Sequence, residues 1–175
     1  TWNGWYETEM LLPDVIEDEP EVLFRFNFFA ENDDDGDDGF SMDNFLIYQP
    51  EPVDLEPQHL LLPTSECDLR VNERFKTVVK NRGTQDITSF DIEYRVFDVN
   101  NQTLEVKTET INRAIVSRDT IHVTSTPTFD MFSFGDYEVD IITKINSDGC
   151  IINDTLSKMI ENIDGCNFFF EIRTS

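Results

Sequence analysis

Basic residues are scarce in this chain. Thirteen Lys and Arg stand against 36 Asp and Glu, a formal net charge of −23 over 175 residues. Such a chain repels phosphate backbones, and no basic stripe offsets the repulsion, so nucleic-acid binding is disfavoured. Cysteine is scarce too: Cys67, Cys150 and Cys166 are the only three, and none forms a C-x-x-C pair. With only His59 and His122 beside them, a zinc site is a poor reading. No apolar run approaches the roughly 18 residues that a membrane span needs. No signal peptide is visible and the first residue is Thr1 rather than Met, so the chain reads as a mature or excised fragment. No ten-residue stretch of the 53–161 region keeps a helical period.

What is present is apolar, aromatic and alternating. Hydrophobic residues make up 39% of the chain and Phe alone contributes 15, enough to build a core and to argue against wholesale disorder. The length allows one domain or two small ones. Val22, Phe24, Phe26 and Phe28 share one face of an expected strand, and a second is expected over Phe40 to Tyr48, with a bulge near Asp43 and Asn44 where the apolar phase shifts. Gln49-Pro50-Glu51-Pro52, with Pro57 beyond, marks a linker or a domain-opening edge strand. From Leu69 the period-two pattern is continuous. Leu69, Val71, Phe75, Thr77 and Val79 are expected on one face, then Phe90, Ile92, Tyr94 and Val96. Leu104, Val106 and Thr108 follow, then Ile121 and Val123, then Tyr137, Val139, Ile141 and Thr143, and a last strand over about 155–160. Turn signals at Asn81-Arg82-Gly83, Asn100-Asn101, Ser117-Arg118-Asp119 and Gly135-Asp136 separate these runs.

With an edge strand near Val53 to Leu62, the pattern predicts seven strands. The fold class is therefore all-β: an antiparallel immunoglobulin-like β-sandwich over residues 53–161. No Trp lies in that span, which separates it from true immunoglobulin domains. Residues 1–48 hold two or three strands, too few to bury their own aromatics, and read as the closing strands of an incomplete jelly-roll sandwich that needs other polypeptide to pack on. Residues 49–52 are the linker, and residues 162–175 begin a following segment.

Three clusters invite chemistry. Asn32-Asp33-Asp34-Asp35-Gly36-Asp37-Asp38-Gly39, with Asp43 beyond, crowds carboxylates beside tight turns. Asp33, Asp35, Asp37 and Asp43 are the candidate ligands of a structural Ca²⁺, the alternative being a solvated acidic hairpin loop. The spacing is not that of an EF-hand, since Asp38 and Asn44 fall where that loop needs Gly and Glu. Cys67 precedes the first long alternating run and Cys150 lies between the last two strands, so a Cys67–Cys150 disulfide is expected, against two buried thiols, with Cys166 unpaired within the chain. Trp2, Trp5 and Tyr6 either stack on sugar or fill a core. No Ser-His-Asp or Cys-His set suggests catalysis: His59 lies in a Pro-rich stretch and His122 is a lone outward strand position.

Two stretches carry a family resemblance. Val22-Leu23-Phe24-Arg25-Phe26-Asn27-Phe28, an acidic loop, and Asp38-Gly39-Phe40-Ser41-Met42-Asp43-Asn44-Phe45 resemble the end of a MAM-type jelly roll, whose closing strand reads roughly D-G-F-A-hydrophobic-D-D-hydrophobic; Asn44 departs from it. Asp54-Leu55, Ser65-Glu66-Cys67, Val79-Lys80-Asn81-Arg82-Gly83-Thr84-Gln85 and Asn153-Asp154-Thr155-Leu156 resemble the adhesion-type immunoglobulin-like modules that follow it in secreted Bacteroidetes proteins. The resemblance implies type IX export and a non-catalytic adhesion or spacer module at the cell surface, or else an accessory region of a secreted peptidase or other hydrolase. It implies partners among upstream and downstream domains of the same polypeptide or a partner chain, and a surface protein or glycan as ligand. It also implies O-glycosylation in the Asp-Ser/Thr-hydrophobic motif, at Thr120 and Thr155. Asn101 and Asn153 open N-linked sequons as well.

Overall fold

The computed structural model describes residues 49–164 throughout and, before them, Met10, Leu12, Ile16, residues 20–26, Met42, Phe45 and Ile47. The chain divides into two compact units, Thr1–Ile47 and Tyr48–Ser175.

In the first unit the described residues 20–26 carry no strand ladder. Alternation assigns faces to such a run but cannot supply the hydrogen-bonding neighbour a strand needs. Phe24 and Phe26 do meet Phe45 edge-on, with ring centroids 5.5 and 5.3 Å apart, although Phe26 and Phe45 remain about half exposed. Residues 27–41, and with them Asp33, Asp35 and Asp37, lie outside the described residues, as does Asp43.

The second unit is built from seven strands: β1 Leu55–Leu62, β2 Lys76–Asn81, β3 Phe90–Asp98, β4 Thr103–Ile111, β5 Thr120–Thr124, β6 Gly135–Lys144 and β7 Thr155–Asn162. All strand pairs are antiparallel, in a three-stranded sheet β1-β2-β5 and a four-stranded sheet β4-β3-β6-β7. The fourth strand therefore extends the sheet of the third, rather than joining the first sheet as in constant-type immunoglobulin domains. β1 holds Pro57, which lacks a ladder donor and suits an edge strand. The register shift after Pro57 explains why its buried positions run 55, 57 and then 60.

The core lies between the sheets. β3 buries Phe90, Ile92, Tyr94 and Val96 in strict alternation, beside Tyr137, Val139 and Ile141 of β6 in the same sheet and packed in one core with Val79, Ile121 and Val123 of the smaller sheet. At its centre Phe75 and Phe129 stack in parallel at 4.2 Å, and both meet Tyr94 edge-on at 5.8 and 5.5 Å. Phe129 comes from the chain after β5. That segment is tied to the approach to β2 by paired backbone bonds between Glu73 and Phe129, and by the buried Ser125, whose Oγ accepts from the Phe75 amide.

Two sequence expectations change here. Val71 is 60% exposed, because residues 68–72 turn instead of extending and Asp68 takes a positive φ of 68°. The Arg70 amide donates to Glu73 Oε1, closing that turn. In β4 the apolar face is the outer one: Leu104 and Val106 are about half exposed, while Glu105, Lys107 and Glu109 lie opposite the inward residues Val96, Tyr94 and Ile92. These charges seal the open side of the sandwich against the chain after β5. Glu109 accepts from the Thr126 amide and the Tyr94 hydroxyl, Glu105 accepts from the Asp130 amide, and Lys107 donates to the Thr128 carbonyl over the Phe129 ring. Inward-pointing charge of this kind also protects an edge strand from pairing with other chains.

The cysteine expectation is corrected. Cys150 is a free thiol, and Cys67 is disulfide-bonded. A parallel bridge joins Glu66 to Asn162, with Glu66 N donating to Glu161 O and Ile163 N to Glu66 O, so Cys67 sits beside the end of β7. Cys150 precedes the start of β7. Eight strand residues span roughly 25 Å, far beyond the Cα separation a disulfide tolerates. The remaining cysteine, Cys166, lies outside the described residues. Non-reducing peptide mapping is expected to recover Cys67 linked to Cys166 and Cys150 as an alkylated thiol. Recovery of a Cys67–Cys150 peptide would contradict this.

Candidate functional site

The densest chemistry among the described residues is at the end of the sandwich where the chain enters β1. Three pieces of backbone meet there: residues 51–55, the turn after β2, and the β6–β7 loop. The turn is organised by the buried Asn81, whose Oδ1 accepts from Gly83 N while its Nδ2 donates to the Gln85 and Ile115 carbonyls. A Cβ on Gly83 would come within 2.6 Å of the Pro52 carbonyl, so this close approach requires glycine. The entering segment is held on both sides. The amides of Thr84 and Gln85 donate to the Glu51 and Pro52 carbonyls, those of Arg82 and Gly83 to the Asp54 carbonyl, and that of Gly149 to the Val53 carbonyl.

Side chains complete the junction. Asp148 Oδ2 accepts from the Leu55 amide at 3.1 Å and its Oδ1 from the Cys150 amide at 3.0 Å. Asn153 Nδ2 donates to Asp54 Oδ1 at 2.9 Å, and Asp54 is only 7% exposed. The Thr143 hydroxyl donates to the Leu55 carbonyl, and Arg82 pairs with Glu56 nearby. Asn153 Oδ1 and Asp154 Oδ1 are buried without a hydrogen-bond partner.

Crowded carboxylates in partly desolvated surroundings resist ionisation. Burial raises the Asp54 carboxyl above its usual range, with Asp148 and Glu56 adding to the effect and the Asn153 hydrogen bond and Arg82 opposing it. Asp154 is pushed up to about 6, first by burial and then by the negative charges of Asp148 and Asp54. A shallow groove lined by Asp91, Thr143, Lys144, Asp148, Ile151 and Asp154 adjoins the cluster. Ile151 and Ile152, at the tip of the loop, are 76% and 91% exposed. Among the described residues no group of three or more Asp, Glu, His or Cys stands in an arrangement that could hold a metal ion.

The sequence-derived candidates fall elsewhere. Thr120 is exposed at the start of β5 and its amide donates to Asp119 Oδ1; Thr155 is exposed at the start of β7. Trp2, Trp5 and Tyr6 lie outside the described residues. His59 and His122 are both exposed strand positions. Asp54, Asp148 and Asp154 were not singled out as a set, because 94 residues separate the first from the second and no short-range pattern links them. The available signal was weaker: Asp54 and Asp154 each stand just before a strand.

No family model matches the chain, and no curated protein matches it. Among solved structures, it resembles a domain from a protein described as a cell-surface protein of Methanosarcina acetivorans, with 22% identity and a TM-score of 0.47 over 65% of this chain and 94% of that one. It also resembles the CARDB domain of a Pyrococcus furiosus protein, in a crystal structure with di-metal ions (14% identity, TM-score 0.39, 71% of this chain and 100% of that one) and in a solution structure (11% identity, TM-score 0.41, 66% and 98%). No helix among the described residues is long and apolar enough to cross a membrane.

Proposed function

We propose that this chain is a non-catalytic module of an extracellular, cell-surface protein, serving adhesion or spacing. The observation that carries the reading is the disulfide at Cys67 on a sandwich whose interior is filled by its own side chains. Disulfides persist in oxidising compartments outside the cytoplasm. The sealed side at β4 supports a building block that meets partners with its surface, and the charge of −23 keeps such a surface soluble and unreactive toward nucleic acid.

Finer features belong to the same proposal. The parent protein is a type IX-exported bacterial surface protein, residues 1–48 are the end of a MAM-like jelly roll, and the partner is a surface protein or glycan. Thr120 and Thr155 carry O-glycans; their exposure supports this, and mass mapping of protein from its native source should recover both modified peptides. Asp33, Asp35, Asp37 and Asp43 hold a structural Ca²⁺; calorimetry should register binding that Asp43→Ala removes, and the absence of heat at millimolar Ca²⁺ would refute it.

Beads coated with the intact chain test the function itself. They should bind source cells or their extracellular matrix, while peptidase, esterase and glycosidase substrates show no turnover above buffer. Turnover abolished by one substitution in the chain would overturn the proposal.

A further inference from the structure

The groups at the entrance to β1 are arranged to act on the entering segment, not only to decorate it. Residues 51–55 are gripped from two sides, but the grips differ in kind. Toward the turn after β2 the contacts are backbone bonds, from Arg82, Gly83, Thr84 and Gln85. Toward the β6–β7 loop, two of the three contacts run through side chains: Asp148 to the Leu55 amide and Asn153 to Asp54, with Gly149 to the Val53 carbonyl as the backbone bond between them. The loop that provides this second grip carries Asp148 and Asp154, and the segment it holds carries Asp54. Ionised, these three carboxylates repel across the very contact that two of them make.

The other charged groups at this end do not relieve that repulsion. Glu51 packs on Gly149 and Glu56 flanks Asp54, and both are acidic. Arg82, the cation facing Asp54, is paired with Glu56. Lys144 lines the adjoining groove together with Asp91, but its ammonium is engaged by Glu93 at 2.7 Å. Since no three of these side chains stand in a metal-holding arrangement, the cation suited to the site is a proton. Protonated, the Asp154 carboxyl becomes a donor to the neighbouring Asp148 carboxylate.

We propose that Asp54, Asp148 and Asp154 form a proton-operated latch: in mild acid the β6–β7 loop closes on residues 51–55, and at neutral to alkaline pH it loosens. The direction follows from linkage. A carboxyl whose folded-state affinity for protons is raised contributes stability at low pH, and that contribution disappears as pH rises through its folded titration point. For Asp154 that point is about 6. The latch thus works in the opposite sense to ordinary acid denaturation, in which paired carboxylates are lost.

Hydrogen exchange on the isotope-labelled full chain, at constant ionic strength in EDTA from pH 5 to 8, reads the latch. Protection factors of the Leu55 and Gly149 amides should fall about tenfold as pH rises, steeply up to about 6 and then levelling off, while amides of β3 and β6 stay level. The full linkage value is larger, and partial exposure of the Asp154 side chain reduces it. In Asp154→Asn the two amides should stay protected across the range, and Asp54→Asn should weaken the pH response without abolishing the core. Three results would overturn the proposal: Leu55 and Gly149 tracking the core amides at every pH, a wild-type response retained in Asp154→Asn, or Ca²⁺ in place of EDTA restoring full protection at pH 8. The last would make the cluster a divalent-cation site.

Discussion

Phe129→Ala is expected to lower the unfolding free energy of the sandwich by about 3–5 kcal/mol, the usual cost of removing a buried aromatic ring. Phe129 is fully buried, stacks on Phe75 and meets the edge of Tyr94, and the Lys107 ammonium sits 4.9 Å above its ring. The truncation therefore leaves a cavity at the joint of the two sheets and strips apolar cover from Lys107. In urea titrations the midpoint should fall with little change in slope. Phe132→Ala is the control. That ring is 66% exposed, and its loss should shift stability by no more than about 0.5 kcal/mol. Far-ultraviolet dichroism is the suitable probe, because the only tryptophans, Trp2 and Trp5, precede the sandwich in sequence.

Asn162→Ala is expected to cost nearly as much, about 3 kcal/mol, for a different reason. Asn162 is 1% exposed, and its side chain ties the end of β7 to two loops. Its Nδ2 donates to the Met131 and Phe132 carbonyls at 2.9 Å and reaches the Ser133 carbonyl at 3.3 Å, while its Oδ1 accepts from the Leu69 amide. Truncation leaves several buried backbone groups unpaired, each at about 1–3 kcal/mol before the loops relax or admit water. Asn162→Asp should be no better. It keeps the acceptor, loses the donor and places a negative charge against carbonyl oxygens. An Asp variant as stable as wild type would show that the loops are held by something else.

Most of the seven strands were legible in the sequence because they have a buried face, and burial imposes a period of two wherever a strand is covered on one side. The failures occur where covering is not by the opposite sheet. β4 faces a loop rather than a sheet, so its inward positions are Glu105, Lys107 and Glu109, which bond backbone groups, and the apolar residues point outward. Val71 continues the written pattern but sits in a turn closed by Glu73. Cysteine pairing depends on which end of a strand each loop occupies, and spacing along the chain does not encode that. The acidic cluster is equally non-local: Asp54 joins Asp148 and Asp154 only because β1 packs against β6 and β7. Asn81 was visible as part of a turn signal, yet its role in bonding the Gln85 and Ile115 carbonyls needed the fold.

The claim that this sandwich works outside the cell, as part of a surface protein, can be tested on intact cells of the source organism. Antibodies against residues 49–164, applied without permeabilisation, should label the cell surface, and mild protease treatment of whole cells should remove the label. Labelling that appears only after lysis, with protease-treated intact cells retaining the full antigen, would contradict it.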